Sequence, residues 1–386
     1  MEAPILRRLH IRNFKAILDS GSLKLTPLTV LIGNNGSGKS SLIEALDTLR
    51  TLAVQDLDVA MQLWKGIEHV RNKSRSRQTR HTKAGSERSS KPIELSMRGN
   101  TGEQTFVAKT LLNERGKANE LFIEREFVRL GRIQVARDED DRVRVKGDTR
   151  HLVGGGLMLS SKSILGTYLK DYIESWQILN FAPPSMGNPG PQTRTRGGIQ
   201  MNKSGSNLAE YLLDFRARDL VAFDGLIETL KYVLPYASDI QPALTSEIER
   251  TAYLQLSERD FKVPGWLMSA GTLRILAMLA VLRHPTPARL ILVEEIENGL
   301  DPRTIRLLID EIQRTVESGR SQVILTTHSP FLLDSIPLQS IVLVDRIENQ
   351  TTFTRPGDTQ EVQKWAESFS PGQLYTMDRL SRKSSR

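Results

Sequence analysis

The chain alternates between short apolar runs and helical stripes. Residues 5–14 set apolar Leu9 and Ile11 against polar His10 and Arg12, the period of a half-buried strand. Leu28–Ile32 is continuously apolar, as a strand buried on both faces is. From Ser40 a helical stripe of Leu42, Ile43, Leu46 and Leu49 begins, and it extends with a break toward Trp64. Strands of a meander are predicted at 92–97, 104–112 and 120–130, with turns at Gly99-Asn100 and 114–116. A helix over 163–176 then leads into a strand over 178–181.

Residues 182–198 are rich in Pro and Gly, carry Arg194 and Arg196, and predict a mobile loop. Ser206 or Asn207 can cap a helix bearing Leu208, Tyr211 and Leu212. A second helix covers about 218–234, and short strands follow near 240–244 and 252–256. The last third alternates cleanly. Helix 270–283 is apolar on most sides, 290–293 is a buried strand, and helix 303–318 aligns Ile305, Leu308, Ile309, Ile312 and Val316. Buried strands recur at 323–325 and 341–344. The expected fold is α/β: a mainly parallel sheet covered by helices, an antiparallel β meander and an inserted helical region. The expected divisions are 1–70 as the first part of the core, 71–91 as an insertion, and 92–181 as the rest of the first lobe. An inserted loop and helices fill 182–262, and 263–386 forms the second lobe.

Charge sharpens this picture at one place. The net charge is +8, and between Arg71 and Lys91 eight Lys/Arg face a single acid, Glu87. That segment has no periodicity and almost no large apolar side chain, so it predicts a flexible basic insertion suited to phosphates or to an acidic partner. It holds no aromatic residue for base stacking, and its bland reading is a solvated loop. The absence of cysteine excludes disulfides and thiolate zinc sites. No apolar run approaches the roughly 20 residues of a membrane helix. The start lacks the form of a secretion signal, and the expectation is a cytoplasmic protein without a membrane partner.

The chemistry concentrates in two stretches. Gly33-Asn34-Asn35-Gly36-Ser37-Gly38-Lys39-Ser40 lies between the 28–32 strand and a helix, and fits the phosphate-loop pattern G-x-x-x-x-G-K-[ST]. Glycines let the backbone curl, so the N–H groups of residues 34–41, through Ser41, converge on phosphate oxygens at a helix N-terminus. Lys39 would reach the β- and γ-phosphates and the Ser40 hydroxyl would ligate Mg²⁺. A glycine-rich turn that merely contains Lys-Ser would not need the strand before and the helix after.

The second stretch is an apolar strand ending in Glu294-Glu295. Glu294 would hold Mg²⁺, and Glu295 would orient and deprotonate the attacking water. The first acid is usually Asp, and Glu294 is one methylene longer. Alone, such a pair reads as a solvated strand end, and a lone histidine is more often structural than catalytic. Here the acids precede Gly299-Leu300-Asp301-Pro302, and the next buried strand ends in Thr326-Thr327-His328. Upstream, Ser269-Ala270-Gly271 opens a buried helix, a second anion-binding N-terminus.

Taken together, these motifs resemble the ABC-type ATPases of the RecF/SMC branch, in particular the stand-alone AAA_21 or RecF-like group. In that pattern Gly33 to Ser40 is Walker A, and residues 290–295 are Walker B with the catalytic Glu295. Ser269-Ala270-Gly271 stands at the signature, Asp301 in the D-loop and His328 at the switch histidine. Ile11-Arg12-Asn13-Phe14-Lys15 and Gly205-Ser206-Asn207-Leu208-Ala209 are weaker echoes. The likeness covers about the first 50 residues and most of 175–345. It implies a two-lobed head that binds ATP and Mg²⁺ and pairs head-to-tail with a second copy. Ser269 and the Gly271 N–H would then complete the γ-phosphate site in trans. Gln177 is the candidate for the Q-loop metal ligand.

Three function classes compete: a DNA-linked or defence ATPase, the motor subunit of an ABC transporter, and a metabolic kinase or GTPase. Met268 to Arg274 reads MSAGTLR where transport ATPases carry LSGGQ, and a kinase needs neither the aspartate turn nor the switch histidine. Residues 50–260 hold no heptad run, so no SMC-type arm is expected. Only 58 residues follow His328, too few for an appended nuclease domain, so cutting would fall to a separate effector such as a nuclease. The reading is an ATP-hydrolysing head in nucleic-acid-linked work, anti-phage defence or DNA repair, contacting DNA or RNA through 71–91.

Overall fold

The computed structural model of the protein describes residues 4–74, 91–102, 104–115, 120–140, 142–147, 169–193, 198–245, 249–259 and 261–380. The chain divides into two compact units. One comprises Met1–Thr26, Leu31–Trp176 and Val342–Arg355; the other comprises Pro27–Val30, Gln177–Ile341 and Pro356–Arg386. The stretch expected as an insertion, 182–262, lies wholly within the second unit. Most of the basic segment, the first part of the helix expected at 163–176, and Arg194 and Arg196 lie outside the described residues. Among the described residues no helix is long and apolar enough to cross a membrane.

The first unit is built on an antiparallel sheet ordered Ile17–Asp19, Ile5–Phe14, Ile93–Thr101, Gln104–Arg115, Glu120–Leu130, Ile133–Arg137 and Val143–Lys146. Leu6, Leu9 and Ile11 are all buried on one strand, although Leu6 and Leu9 are three residues apart. A register shift between Leu6 and Arg8 allows it, since a bulge resets which side chains face inward. The expected meander is present and runs two strands further than its pattern showed. The predicted turn at Gly99-Asn100 is not there: the strand continues to Thr101, and the chain reverses at Gly102 with φ +56°. Gly99 is a packing residue, because a Cβ on it would lie 2.5 Å from the Phe106 ring. Of the helix expected over 163–176, the described portion is Lys170–Glu174.

The same unit carries the helix Lys39–Val54 and, after a break capped by the Asp56 side chain, the helix Leu57–Gln62. Residues 342–355 contribute a hairpin whose strands pair Val344 with Phe353 and Ile347 with Gln350. Its two-residue turn, Glu348-Asn349, has positive φ at both positions, the geometry that matches strand twist. Only the first of its strands was visible in the apolar pattern, because Gln350–Thr354 is mostly threonine.

The second unit sets Gln177–Leu179, Leu290–Val293 and Gln322–Thr327 parallel, with Leu179, Val293 and Leu325 in one register. All three strands are fully buried, and their loops leave from the same end. Ligand chemistry in parallel sheets gathers at that carboxyl end. The helix Ala270–Arg283 is buried around most of its surface, whereas Pro302–Glu317 buries the predicted face with Ile305, Leu308, Ile309 and Ile312. Asn207 precedes the helix Leu208–Arg218 without capping it; its amide instead bonds Asn202 N and Gln200 O, both at 2.8 Å. A small antiparallel sheet joins Gly190–Pro191, Thr251–Glu258 and Asp239–Leu244, with Phe261–Pro264 also on Thr251–Glu258.

Candidate active site

In the first unit, the chain turns out of the 28–32 strand at Gly33 and enters the helix at Lys39. A Cβ on Gly33 would lie 2.0 Å from the Val344 carbonyl oxygen, and one on Gly38 would lie 2.6 Å from the Thr351 hydroxyl. Both positions therefore require glycine for close approach, and Gly38 adds φ +115°. The Thr351 hydroxyl lies 2.8 Å from Ser37 O and 3.0 Å from Ala16 O, so the hairpin braces the loop from behind. Lys39 is 6 % exposed, and its ammonium donates to Gly33 O at 2.8 Å and Asn34 O at 3.0 Å.

Asn34, Asn35, Gly36 and Ser40 are exposed, while Ser37, Gly38, Lys39 and Ser41 are buried. The helix has no side-chain cap, so its first N–H groups are left for another acceptor. The Ser37 hydroxyl is buried with no partner among the described residues. An anion with several oxygens fits this loop: bare amides, an orphan hydroxyl and a lysine folded onto its own carbonyls. Magnesium takes oxygen ligands, and the exposed Ser40 hydroxyl is of that type.

Against the turn of the 342–355 hairpin lies a groove of about 680 Å³. Lys15, Arg71, Lys73 and Arg346 bring positive charge to it, and Asn349 and Gln350 of the hairpin close one side. Lys15 is fixed by Glu44 at 2.8 Å and stands 3.6 Å from the centre of the Trp64 ring. Trp64 Nε1 in turn donates to Thr48 of the phosphate-loop helix at 2.9 Å. Sequence reading did not single out this groove or Thr351. The positive φ of Asn13 and Lys15 is the local feature that aims Lys15, within the stretch that the sequence marked only as a weaker echo.

In the second unit, strand 290–293 ends at the two acids. Glu294 N donates to Leu179 O at 3.0 Å, and Glu295 N donates to the Thr326 hydroxyl at 2.9 Å. Glu295 has φ +48°, uncommon for a residue with a side chain and a mark of functional sites. Its Oε2 accepts from the Asn298 amide at 2.5 Å, and its Oε1 lies 3.9 Å from His328 Nε2. Glu295, Asp301 and His328 are thus brought to one end of one sheet. Asp301 caps the next helix by accepting from Arg303 N and Thr304 N. The Thr304 hydroxyl and these amides hold its carboxyl below the usual range.

Two family models match the chain. Residues 5–172 match an AAA ATPase domain (AAA_15), and residues 194–334 match AAA_21, "AAA domain, putative AbiEii toxin, Type IV TA system". Among solved structures, the SMC head bound to the C-winged helix domain of ScpA aligns with a TM-score of 0.50 at 17 % identity, over 90 % of this chain and 96 % of that one. The chain is an ATPase with the fold of that SMC head. The SMC head domain from Thermotoga maritima aligns at 0.42 with 14 % identity, over 92 % and 99 % of the two chains. A Pyrococcus furiosus SMC head, bound to the C-terminal domain of ScpA, aligns at 0.47 with 13 % identity, over 95 % and 100 %. No curated protein matches in sequence.

In this ATPase Ser269, the residue expected at the signature, caps its helix by accepting from Thr272 N at 3.1 Å. Gly271 packs against the acid turn, where a Cβ would lie 2.5 Å from Gly299 O. Gly271→Ala is therefore expected to lower the melting temperature, since overpacking costs about 1–3 kcal/mol. It should also slow ATP turnover by displacing the turn that carries Glu295; thermal unfolding and steady-state turnover check both. Gln177 takes a different place from the one expected of a metal ligand. It pairs with Ile291, two residues before the strand end, and its amide donates to Met201 O and accepts from Met201 N, both at 3.2 Å. Asn180, exposed, directly follows that strand, whose last carbonyl, Leu179 O, accepts from Glu294 N.

Proposed function

We propose that this ATPase is an ATP-controlled clamp: two copies close head-to-tail around two nucleotides, and hydrolysis releases them. The phosphate loop and its bare helix N-terminus carry the reading, with Lys39 on the phosphates and Ser40 and Glu294 on Mg²⁺, which neutralises phosphate charge. Glu295 takes a proton from the attacking water, His328 orients the γ-phosphate end, and Asp301 keeps the acid turn in place. Ser269 and the Gly271 N–H serve the partner copy's nucleotide. Asn180 replaces Gln177 as the amide at the metal. The groove lined by Lys15 and Arg71 takes the nucleoside end.

The work that turnover drives is nucleic-acid-linked, in defence or repair, in the cytoplasm and with a separate effector protein. Three observations support this. The AAA_21 description names a toxin system, the SMC head on the same fold was solved with a second polypeptide, and the net charge resides almost wholly in 71–91. The MSAGTLR signature disfavours the transporter reading.

Deleting residues 75–90 tests the nucleic-acid reading directly. The full chain should bind duplex DNA or RNA with an affinity that falls steeply with salt, and the deletion should weaken binding and flatten the slope. Equal affinities and equal slopes for the two proteins at two salt concentrations would exclude a nucleic-acid role for the segment.

A further inference from the structure

Glu297 has no role in the motif assignments, yet it ties the acid turn to the histidine strand. Its Oε1 accepts the His328 main-chain N–H at 2.6 Å. Its Oε2 is buried with no partner among the described residues. The charge of Glu297 acts on Arg274, one turn into the helix that Ser269 opens. Arg274 donates one terminal nitrogen to Phe181 O at 3.0 Å, and its Nε is buried and unpartnered. Burial lowers the pKa of its guanidinium, and the charges of Glu295 and Glu297 oppose that. An unused carboxylate oxygen and an unused guanidinium N–H thus belong to one charge cluster, and each costs stability while unpaired.

We propose that Glu297 is a positioning residue, in which Oε1 holds His328 in register with Glu295 and Oε2 is the seat that Arg274 Nε takes when the signature helix shifts. The helix that reads a nucleotide through Ser269 would then report to the base through one carboxylate. This rests on the general-base reading of Glu295.

Both halves are tested by steady-state ATP turnover of the full chain, with melting temperatures measured alongside. Glu297→Ala removes both oxygens and is expected to lower kcat on the order of 100-fold, the cost of a misplaced catalytic group, with KM for ATP unchanged. Glu297→Gln keeps a carbonyl that accepts the His328 N–H, so it should recover much of that loss. Its remaining deficit should equal that of Arg274→Gln, and combining Glu297→Gln with Arg274→Gln should add nothing further. A Glu297→Gln enzyme as slow as Glu297→Ala would overturn the hold on His328. A double variant whose losses multiply would overturn the Arg274 seat. If Glu297→Ala does not fold, the Gln variants alone decide. Glu295→Gln, run in parallel, separates the two readings: its full activity would remove the general base whatever Glu297 does.

Discussion

Lys39→Ala is expected to abolish ATP binding and, with it, turnover. The Lys39 ammonium is 6 % exposed and carries two bonds, to Gly33 O and Asn34 O. A bound phosphate would take over that charge at little cost in desolvation, because the lysine is already withdrawn from water. Charge-assisted hydrogen bonds contribute about 1.5–3 kcal/mol each. Losing two of them amounts to roughly 100-fold or more in affinity. Arginine should not rescue, since its planar fork cannot occupy the space of a compact ammonium between two loop carbonyls. Titration with a fluorescent ATP analogue reads the effect, and a folded Lys39→Ala protein with wild-type affinity would remove the phosphate-loop assignment.

Glu295→Gln is the second large effect, and it has the opposite signature. The amide keeps the shape of the side chain and can still accept from Asn298, so nucleotide binding should survive. What it loses is the capacity to take a proton, a loss of about 10²- to 10⁴-fold in turnover. On the two-copy reading, ATP then accumulates unhydrolysed between closed partners. Sedimentation of Glu295→Gln with ATP should show doubled mass, absent without nucleotide and absent when Lys39→Ala is added. Monomeric Glu295→Gln at saturating ATP would sink the clamp while leaving the base assignment to the rate measurement.

The phosphate loop and the acid turn were legible because each is a short contiguous string with rigid backbone demands. Gly33 and Gly38 are there because neighbouring atoms leave no room for a Cβ, and that necessity shows in sequence as the spacing of the two glycines. Helix 302–317 was equally legible, since its apolar stripe faces one way. The groove at the hairpin turn was not. Lys15, Arg71 and Arg346 are distant in sequence, and each looks like an ordinary surface cation until antiparallel pairing gathers them. Gln177 misled for a related reason: as a glutamine before an apolar strand it fits the expected order, but parallel register pairs it with Ile291, short of the carboxyl end. Gly99 misled because glycine marks tight packing as well as turns.

The hydroxyl of Thr351 braces Ser37 across 314 residues of sequence. Synthesis must therefore pass Thr351 before the loop is supported from behind. Nascent chains of such high contact order gain their last native contacts late. Until the hairpin emerges, the Ser37 and Ala16 carbonyls are without the hydroxyl that joins them.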